Sequence, residues 1–266
     1  WSAEVDNSKI QGFPAGSVIH MPFTVTSADG KTSQRIVVDI HGTNDAAVIA
    51  GVKTGVVTED TQTQVTGSLT VKDPDKNGVG SVLSDKNSFS PESLQGSHGS
   101  FSIKEDGSWT YNLNNADPKV QSLHGGEQIN EHFTVHAADG TAQDVTVTID
   151  GTNDAPVLSV IPQQQAIEDG AAISGQLSGT DVDSGDVLTY GAVAGSQLPA
   201  GFSIKPDGSW TFDPKDPAYN SLAEGQKQQV TAQLQVSDGH GGVSQKTLTV
   251  DLLSLIHISE PTRPRL

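Results

Sequence analysis

The fold class of this chain is indicated by residues 145–155, which read Val145-Thr146-Val147-Thr148-Ile149-Asp150-Gly151-Thr152-Asn153-Asp154-Ala155. Its first six residues alternate apolar and polar side chains, which is the pattern of a β-strand with one buried face. Its last five residues repeat residues 42–46 at a distance of 109 positions (151 − 42 = 109). A strand that leads into a repeated segment indicates a tandem array of β domains.

Other short motifs recur in the same order and divide the chain into repeats. The matched pairs are Glu59-Asp60 with Glu168-Asp169, Asp73-Pro74-Asp75 with Asp181-Val182-Asp183, Asp106-Gly107-Ser108-Trp109 with Asp207-Gly208-Ser209-Trp210, Asp139-Gly140 with Asp29-Gly30, and Trp109 with Trp1. We therefore predict the C-terminal part of a truncated repeat one at residues 1–41. A complete repeat two is expected at 42–150 and a complete repeat three at 151–251.

Two hairpins are predicted within repeat two. Phe101 and Ile103 precede the turn residues Asp106-Gly107, and Trp109 and Tyr111 follow them in alternation. A second turn at Asp139-Gly140 joins two further alternating runs. About seven short strands with turns every 8 to 12 residues or so favour an all-β fold of tandem Greek-key β-sandwiches, the first one truncated. Helical structure is expected only as short turns at residues 118–123 and 217–222.

Composition limits the possible functions. The chain lacks cysteine, which excludes disulfides, thiolate metal sites and a cysteine nucleophile. Its net charge of −17 repels phosphate backbones, so we expect no nucleic-acid partner. No apolar run approaches the roughly 18 residues of a membrane span, so membrane insertion is not expected. An acidic, cysteine-free β protein fits a secreted, extracellular protein of the bacterial cell surface, although a cytosolic protein can also lack cysteine.

Recurring acids at predicted strand ends point to a metal site. A Greek-key sandwich returns to the same pole with every second connection, so acids from adjoining repeats can converge on one junction. Several carboxylates there would repel one another unless a cation lay among them. Hard oxygen ligands without His or Cys select Ca²⁺. The residues of this predicted site are Glu59, Asn153, Asp154, Asp181, Asp183 and Asp238.

The sequence resembles a family of bacterial repeats. The run Gly151-Thr152-Asn153-Asp154-Ala155-Pro156-Val157, the Glu-Asp pair, the Asp-Gly-Ser-Trp hairpin and the late Asp-Gly turn are similar to those of VCBS and cadherin-like repeats in large bacterial adhesins, including the RTX type. The similarity covers essentially residues 1–251. It implies cadherin-like or immunoglobulin-like sandwiches, calcium at the linkers, and a role in cell adhesion or biofilm formation.

The resemblance assigns corresponding ligand positions to both junctions, except that the junction before repeat two lacks the opening Glu because the front of repeat one is absent. For the junction before repeat three it gives the six residues above. For the junction before repeat two it gives Asn44, Asp45, Asp73, Asp75 and Asp139. The linker departs from animal cadherins at Gly151 and Ala155, where a further Asp and a second Asn are usual. This departure, and the lack of a mid-repeat acidic pair, imply fewer calcium ions per junction, down to one.

Simpler interpretations stay open for these residues. Asp106 and Asp207 suit tight turns by geometry alone, and Asp139 and Asp238 are compatible with a turn or a ligand. The Asn-Asp pairs are compatible with linker turns, and Asp-x-Asp with a solvated loop. Trp109 and Trp210 alternate with other aromatic residues, so core packing is favoured over sugar stacking.

Two other site patterns are incomplete. Asp73-Pro74-Asp75-Lys76-Asn77-Gly78 matches the first half of an EF-hand loop, but Ser84 stands at the twelfth position and no helices flank it. His132 and His136 share a strand face as a conceivable zinc pair, but the corresponding residues of repeat three are Thr231 and Gln235. No nucleophile or phosphate-loop motif is present, so we predict no enzyme activity in the repeats.

Residues 252–266 break the repeat pattern. Leu252-Leu253-Ser254-Leu255 stands where a further Gly-Thr-Asn-Asp is expected, and the chain ends in Arg263-Pro264-Arg265-Leu266. The segment resembles translated vector sequence or a frameshift product. We expect it to be disordered or loosely packed and to carry no site residue.

The expected function is that of a calcium-stiffened stalk or spacer in an extracellular adhesin. Its expected partners are the neighbouring repeats of the same chain. One alternative is calcium-dependent binding of a cell-surface glycan or acidic exopolysaccharide, and another is an accessory array of a secreted hydrolase.

Overall fold

A computed structural model describes residues 4–75 and 87–254 of the chain. Three of the sequence features lie outside these residues. They are the landmark Trp1, residues 76–84 of the EF-hand-like loop, and tail residues 255–266.

The described residues form strands and two short 3-10 helices, at Asn7–Lys9 and Pro217–Tyr219. Repeat one contains β1 (Val18–Thr26) and β2 (Ser33–His41). Repeat two contains β3 (Val48–Gly51), β4 (Thr54–Thr58), β5 (Gln64–Lys72), β6 (Glu92–Gln95), β7 (Gly99–Ile103), β8 (Ser108–Leu113), β9 (Gln128–His136) and β10 (Ala142–Asp150). Repeat three contains β11 (Val157–Leu158), β12 (Gln164–Ile167), β13 (Ile173–Gln176), β14 (Gly179–Thr180), β15 (Thr189–Ala192), β16 (Phe202–Ile204), β17 (Ser209–Phe212), β18 (Lys227–Ser237) and β19 (Val243–Leu253).

Repeat two is built from two sheets. One has the strand order β3-β5-β8-β7-β6 and the other β4-β10-β9. The alternating run of residues 145–150 forms β10, which pairs antiparallel with β9 across the turn at Asp139-Gly140. On its other side β10 pairs parallel with the short strand β4. The predicted hairpins and the all-β fold class are therefore confirmed.

The two sheets of repeat two pack through aromatic side chains. The Phe101 ring of β7 stacks on the Phe133 ring of β9 with centroids 4.8 Å apart, and on Trp109 of β8 at 5.5 Å. Trp109 and Tyr111 are both buried, which confirms the core interpretation of this strand. Gly67 lies directly across from Trp109, and a side chain at this position would overlap the indole ring.

Repeat three repeats this plan, although its β18 and β19 are longer than β9 and β10, with 11 residues each against 9. Its sheets have the orders β12-β19-β18-β15, β13-β17-β16 and β11-β14, and β12 pairs parallel with β19 as β4 does with β10. Trp210 stacks on Phe202 at 5.7 Å and lies across from Gly175, so the Trp–Gly pair of repeat two recurs. One continuous core of buried apolar side chains fills the repeat.

Two details differ from the sequence predictions. Strand β19 continues to Leu253, with Leu252 fully buried, so the first residues assigned to the tail belong to the repeat instead. The apolar side chain of Leu252 extends the alternation of β19, which explains why the strand does not end at Asp251. Of the two expected helical turns, Pro217–Tyr219 is a 3-10 helix, whereas residues 118–123 form turns with one Gln121 N–H bond to the Asp117 carbonyl.

The described chain separates into two units. The first contains residues 4–75, 87–121 and 126–151, and the second contains residues 122–125 and 152–254. Repeat one and repeat two thus belong to one unit. Within it, the β1–β2 hairpin keeps its apolar face partly open, with Phe23 at 45% exposure against 4% for the corresponding Phe133 of β9.

Repeat two also buries a carboxylate in its core. Glu131 on β9 accepts hydrogen bonds from the Tyr111 hydroxyl (2.6 Å) and from the backbone N–H groups of Ser97 and His98. Burial and the Glu131 carboxylate raise the pKa of Tyr111 well above its ordinary range. Repeat three has Phe212 and Val230 at the corresponding positions, so it lacks this polar cluster.

Candidate metal centres at the repeat linkers

The linker before repeat two is held against the Asp-x-Asp motif. Residues 42–47 have no regular secondary structure, so their backbone N–H groups need other partners. The Asp45 N–H donates to Asp75 Oδ2 at 3.0 Å, and the Asp75 N–H donates to Asp73 Oδ1 at 2.9 Å. These two bonds bring three of the predicted site residues together.

Asp139 joins the same end of repeat two. Its carboxylate accepts from the Ala47 N–H at 3.0 Å and from the Thr141 N–H at 2.9 Å, and Asn44 also bonds to it. Burial raises the pKa of Asp139, but these hydrogen bonds, led by that of the Thr141 hydroxyl, outweigh burial and lower it below the ordinary value. Asp139 is therefore both the turn residue and a fixed carboxylate beside the linker.

Repeat three has the same arrangement. The Asp154 N–H donates to Asp183 Oδ2 at 2.7 Å, and the Asp183 N–H donates to Asp181 Oδ1 at 3.1 Å. The Asn153 amide donates to Asp238 Oδ2 at 2.9 Å. In both repeats the linker Asp contacts the Asp-x-Asp motif and the linker Asn contacts the late Asp. The arrangement is therefore a shared property of the repeat fold.

Asp238 is held by the hairpin that it opens. Its Oδ1 accepts the N–H groups of His240, Gly241 and Gly242 at 2.7, 3.0 and 3.1 Å. Burial raises the pKa of Asp238, but the hydrogen bonds from Asn153 and from the hairpin N–H groups outweigh it and lower the pKa. The carboxylate is thus fixed in its ionised form at the start of the turn.

Repeat three brings three carboxylates into one small volume. Asp181, Asp186 and Asp238 each place one carboxylate oxygen within 4.8 Å of the other two. Burial raises the pKa of Asp183 beside them, and the charges of Asp181 and Asp186 raise it further against the hydrogen bond from Asp154. One oxygen each of Asp181, Asp183 and Asp186 is buried without a hydrogen-bond partner among the described residues. A cation would satisfy these oxygens and offset the repulsion.

The donor set fits calcium. Its atoms are carboxylate and amide oxygens, which are the ligands of Ca²⁺, and the ion accepts six to eight of them in flexible geometry. The chain has no cysteine, so no thiolate competes for the ion. The residues of repeat three that would hold the ion are Asn153, Asp154, Asp181, Asp183, Asp186 and Asp238.

Asp186 is the site residue that the sequence analysis missed. In the loop Asp181-Val182-Asp183-Ser184-Gly185-Asp186, only Asp181 and Asp183 match acids of repeat two at the offset of 108, which places Gly78 opposite Asp186. The sequence signal for Asp186 is that it is a third acid in the same short loop, five residues after Asp181. Its side chain is only 2% exposed.

Glu59 lies at the other end of repeat two. It follows β4, and its N–H donates to the Asp150 carbonyl at the end of β10, whereas Asp139 precedes β10. Gln121 donates to its carboxylate at 2.8 Å. The next residue, Asp60, has φ 58°, a left-handed conformation that few non-glycine residues adopt, and its counterpart Asp169 has φ 57°. The structure therefore separates Glu59 from the Asn44 group and places it where the chain leaves repeat two.

The other sequence candidates have separate local partners. Asp106 and Asp207 accept the N–H of Ser108 and Ser209 at 2.9 Å, which confirms their role as turn residues. His132 Nδ1 contacts the Thr146 hydroxyl at 3.0 Å, whereas His136 Nδ1 contacts Glu92 at 3.0 Å. The two imidazoles thus bind different neighbours.

Comparison with known protein families decides the identity of the repeats. The profile of the family described as "Bacterial cadherin-like domain" matches residues 44–151 and residues 153–254. The chain belongs to this bacterial cadherin-like family. The second cadherin-like match ends at residue 254, which agrees with the end of β19.

Relatives of the cadherin-like chain include a lectin. A calcium-binding lectin, RapA2, of Rhizobium johnstonii is 27% identical over 242 residues, which span 80% of this chain and 95% of the relative. Two similar solved structures are protocadherin gamma C5 EC1-3 (TM-score 0.50, 16% identity, 95% of this chain and 81% of that chain) and protocadherin gamma B2 extracellular cadherin domains 1-5 (TM-score 0.54, 12% identity, 91% and 46%). These two structures support the cadherin-like fold of tandem β-sandwiches.

Within the part of the chain that the structure describes, no helix has the length and apolar character that crossing a bilayer requires.

Proposed function

We propose that the chain is a calcium-binding repeat segment of an extracellular bacterial adhesin, and that it has no enzyme activity of its own. The observation that carries the proposal is the group of Asp181, Asp186 and Asp238 with its buried, unpartnered oxygens. Membership of the cadherin-like family and similarity to a calcium-binding lectin support it.

Calcium at each linker is proposed to set the stiffness of the array. At the junction before repeat three, the linker residues Asn153 and Asp154 and the loop acids would take part in the shell, and Glu59 would join them from the preceding repeat. At the junction before repeat two, Asn44, Asp45, Asp73, Asp75 and Asp139 would form the corresponding shell. Without calcium the like charges repel one another and leave the linker free to bend. With calcium bound at the junction before repeat three, ligands from two repeats share an ion, and the chain acts as a stalk or spacer.

Calorimetric calcium titration tests this assignment. Asp154→Ala and Asp181→Ala are each expected to remove or strongly weaken a calcium-binding step, because each removes an oxygen ligand from the shell. Asp207→Ala removes the same charge from an exposed turn of the same repeat and is expected to leave calcium binding unchanged. Unchanged titrations for both Asp154→Ala and Asp181→Ala would overturn the site assignment.

A second candidate function is calcium-dependent glycan recognition. The observation that favours it is the similarity to the lectin RapA2 over most of both chains. Binding to a glycan array or to acidic exopolysaccharide in calcium, and its loss in EGTA, would support this function. Absence of binding to every glycan would leave the stalk role alone.

A further inference from the structure

Asp186 occupies an unusual position for an acidic residue. Its side chain is 2% exposed, and Oδ1 lies 3.1 Å from His240 Nδ1 on the hairpin that follows Asp238. Its Oδ2 is buried and has no hydrogen-bond partner among the described residues. A buried carboxylate oxygen without a partner is costly, because it has lost its hydration without compensation.

The neighbours of Asp186 increase this cost. Asp181 and Asp238 bring carboxylate oxygens within 4.8 Å of that of Asp186. Like charges at such distances repel one another strongly where water is excluded. Asp181 and Asp183 each bury an unpartnered oxygen of their own. A hard cation bound by these oxygens would account for all three unpartnered atoms at once.

Repeat two differs from repeat three at the sequence position that corresponds to Asp186. Asp181 and Asp183 correspond to Asp73 and Asp75 at an offset of 108 (181 − 73 = 108), and the same offset places Gly78 at the position of Asp186 (186 − 108 = 78). Among the described residues of repeat two, Asp75 Oδ1 is the one buried carboxylate oxygen recorded without a partner. The two linker sites thus share a plan, but the described residues of repeat two supply no counterpart of Asp186.

We propose that Asp186 is a direct calcium ligand and that it makes the two junctions unequal, so that the site of repeat three fills at a lower calcium concentration than the site of repeat two. This inference rests on the proposed function. Calcium affinity in oxygen-ligand sites rises with the number of charged ligands and with the rigidity of the site. Asp186 adds to the site of repeat three a charged ligand that the described residues of repeat two do not supply, and the contact with His240 fixes its carboxylate. The array therefore stiffens in steps as calcium rises.

Calcium titration of the full chain and of Asp186→Asn tests the inference. The wild-type chain is expected to show a tight and a weak phase. Asp186→Asn is expected to weaken the tight phase about tenfold or more and to leave the weak phase unchanged. Asp75→Asn is expected to weaken the weak phase only. Asp207→Asn removes one charge from an exposed turn of repeat three and serves as the matched control, with both phases unchanged.

The melting temperature in EGTA distinguishes whether Asp186 is a calcium ligand or a residue that folding requires. If Asp186 is a ligand, Asp186→Asn melts at or above the wild-type temperature in EGTA, because it removes one of several buried like charges. A lower melting temperature would show that Asp186 is needed for folding and would overturn the inference. An unchanged tight phase in Asp186→Asn, or an equal loss in both phases, would also overturn it while the proposed function stands. Absence of calcium binding by the wild-type chain would overturn both.

Discussion

In excess EGTA the chain is expected to melt roughly 10–20 °C below its melting temperature in saturating calcium. A ligand at 100 times its dissociation constant stabilises the form that binds it by about 2.7 kcal/mol. For a domain of about 100 residues, 1 kcal/mol corresponds to roughly 4–8 °C. The effect is large here because the ion both contributes bonds and removes the repulsion among Asp181, Asp186 and Asp238.

Differential scanning calorimetry in EGTA and in several calcium concentrations measures this shift. Extracellular modules typically bind calcium with dissociation constants of about 10⁻⁴ to 10⁻³ M, so the melting temperature should still rise through the millimolar range. The Asp181→Ala variant is the control, and we expect its repeat-three transition to respond less to calcium. Equal melting temperatures in EGTA and in 10 mM or so of calcium would contradict the proposed sites.

Trp109→Ala is expected to destabilise repeat two by about 3–5 kcal/mol. The indole is 1% exposed, stacks on Phe101 and fills the space left by Gly67 across the strand pair. Its Nε1–H also donates to the Val52 carbonyl at 2.9 Å, so the substitution leaves a backbone acceptor without its partner. Since domains are typically stable by about 5–15 kcal/mol, this loss is a large share of the total.

Urea unfolding followed by circular dichroism measures the loss. Trp210→Ala is the matched change in repeat three, where the indole packs on Phe202 and lies across from Gly175. Val48→Ala, at an exposed position of repeat two, is the control and is expected to change stability by less than about 0.5 kcal/mol. A loss below about 1 kcal/mol for Trp109→Ala would show that the tryptophan is not the core residue that its burial indicates.

The sequence predicts the longer strands well because their signal is local. The alternation of Val145, Val147 and Ile149 and the Asp-Gly turns determine the β9–β10 hairpin without reference to the rest of the chain. The parallel pairing of β4 with β10 was not predicted. It joins residues about 90 positions apart through a five-residue strand, and its register depends on the assembled sandwich.

Burial of polar groups was harder to predict than burial of apolar ones. The sequence analysis does not single out Glu131, yet the Tyr111 hydroxyl and two backbone N–H groups bind its carboxylate in the core. Sequence alone does not reveal such partners, because they lie 20 to 34 residues away along the chain.

Repetition of short motifs predicts the linker site, but it predicts only residues that recur in both repeats, such as Asn153 and Asp154. It does not predict Asp186, because this acid occurs in repeat three alone. Its burial beside Asp181 and Asp238 becomes apparent only in the folded loop.

Small-angle X-ray scattering of the chain in excess calcium and in EGTA measures whether calcium stiffens it. We expect a larger radius of gyration and a larger maximum dimension in calcium, because a shared ion would fix adjoining repeats in an extended arrangement. Shortening on chelation should be reversed when calcium is added back. Superimposable scattering curves in the two conditions would contradict the claim that calcium stiffens this segment.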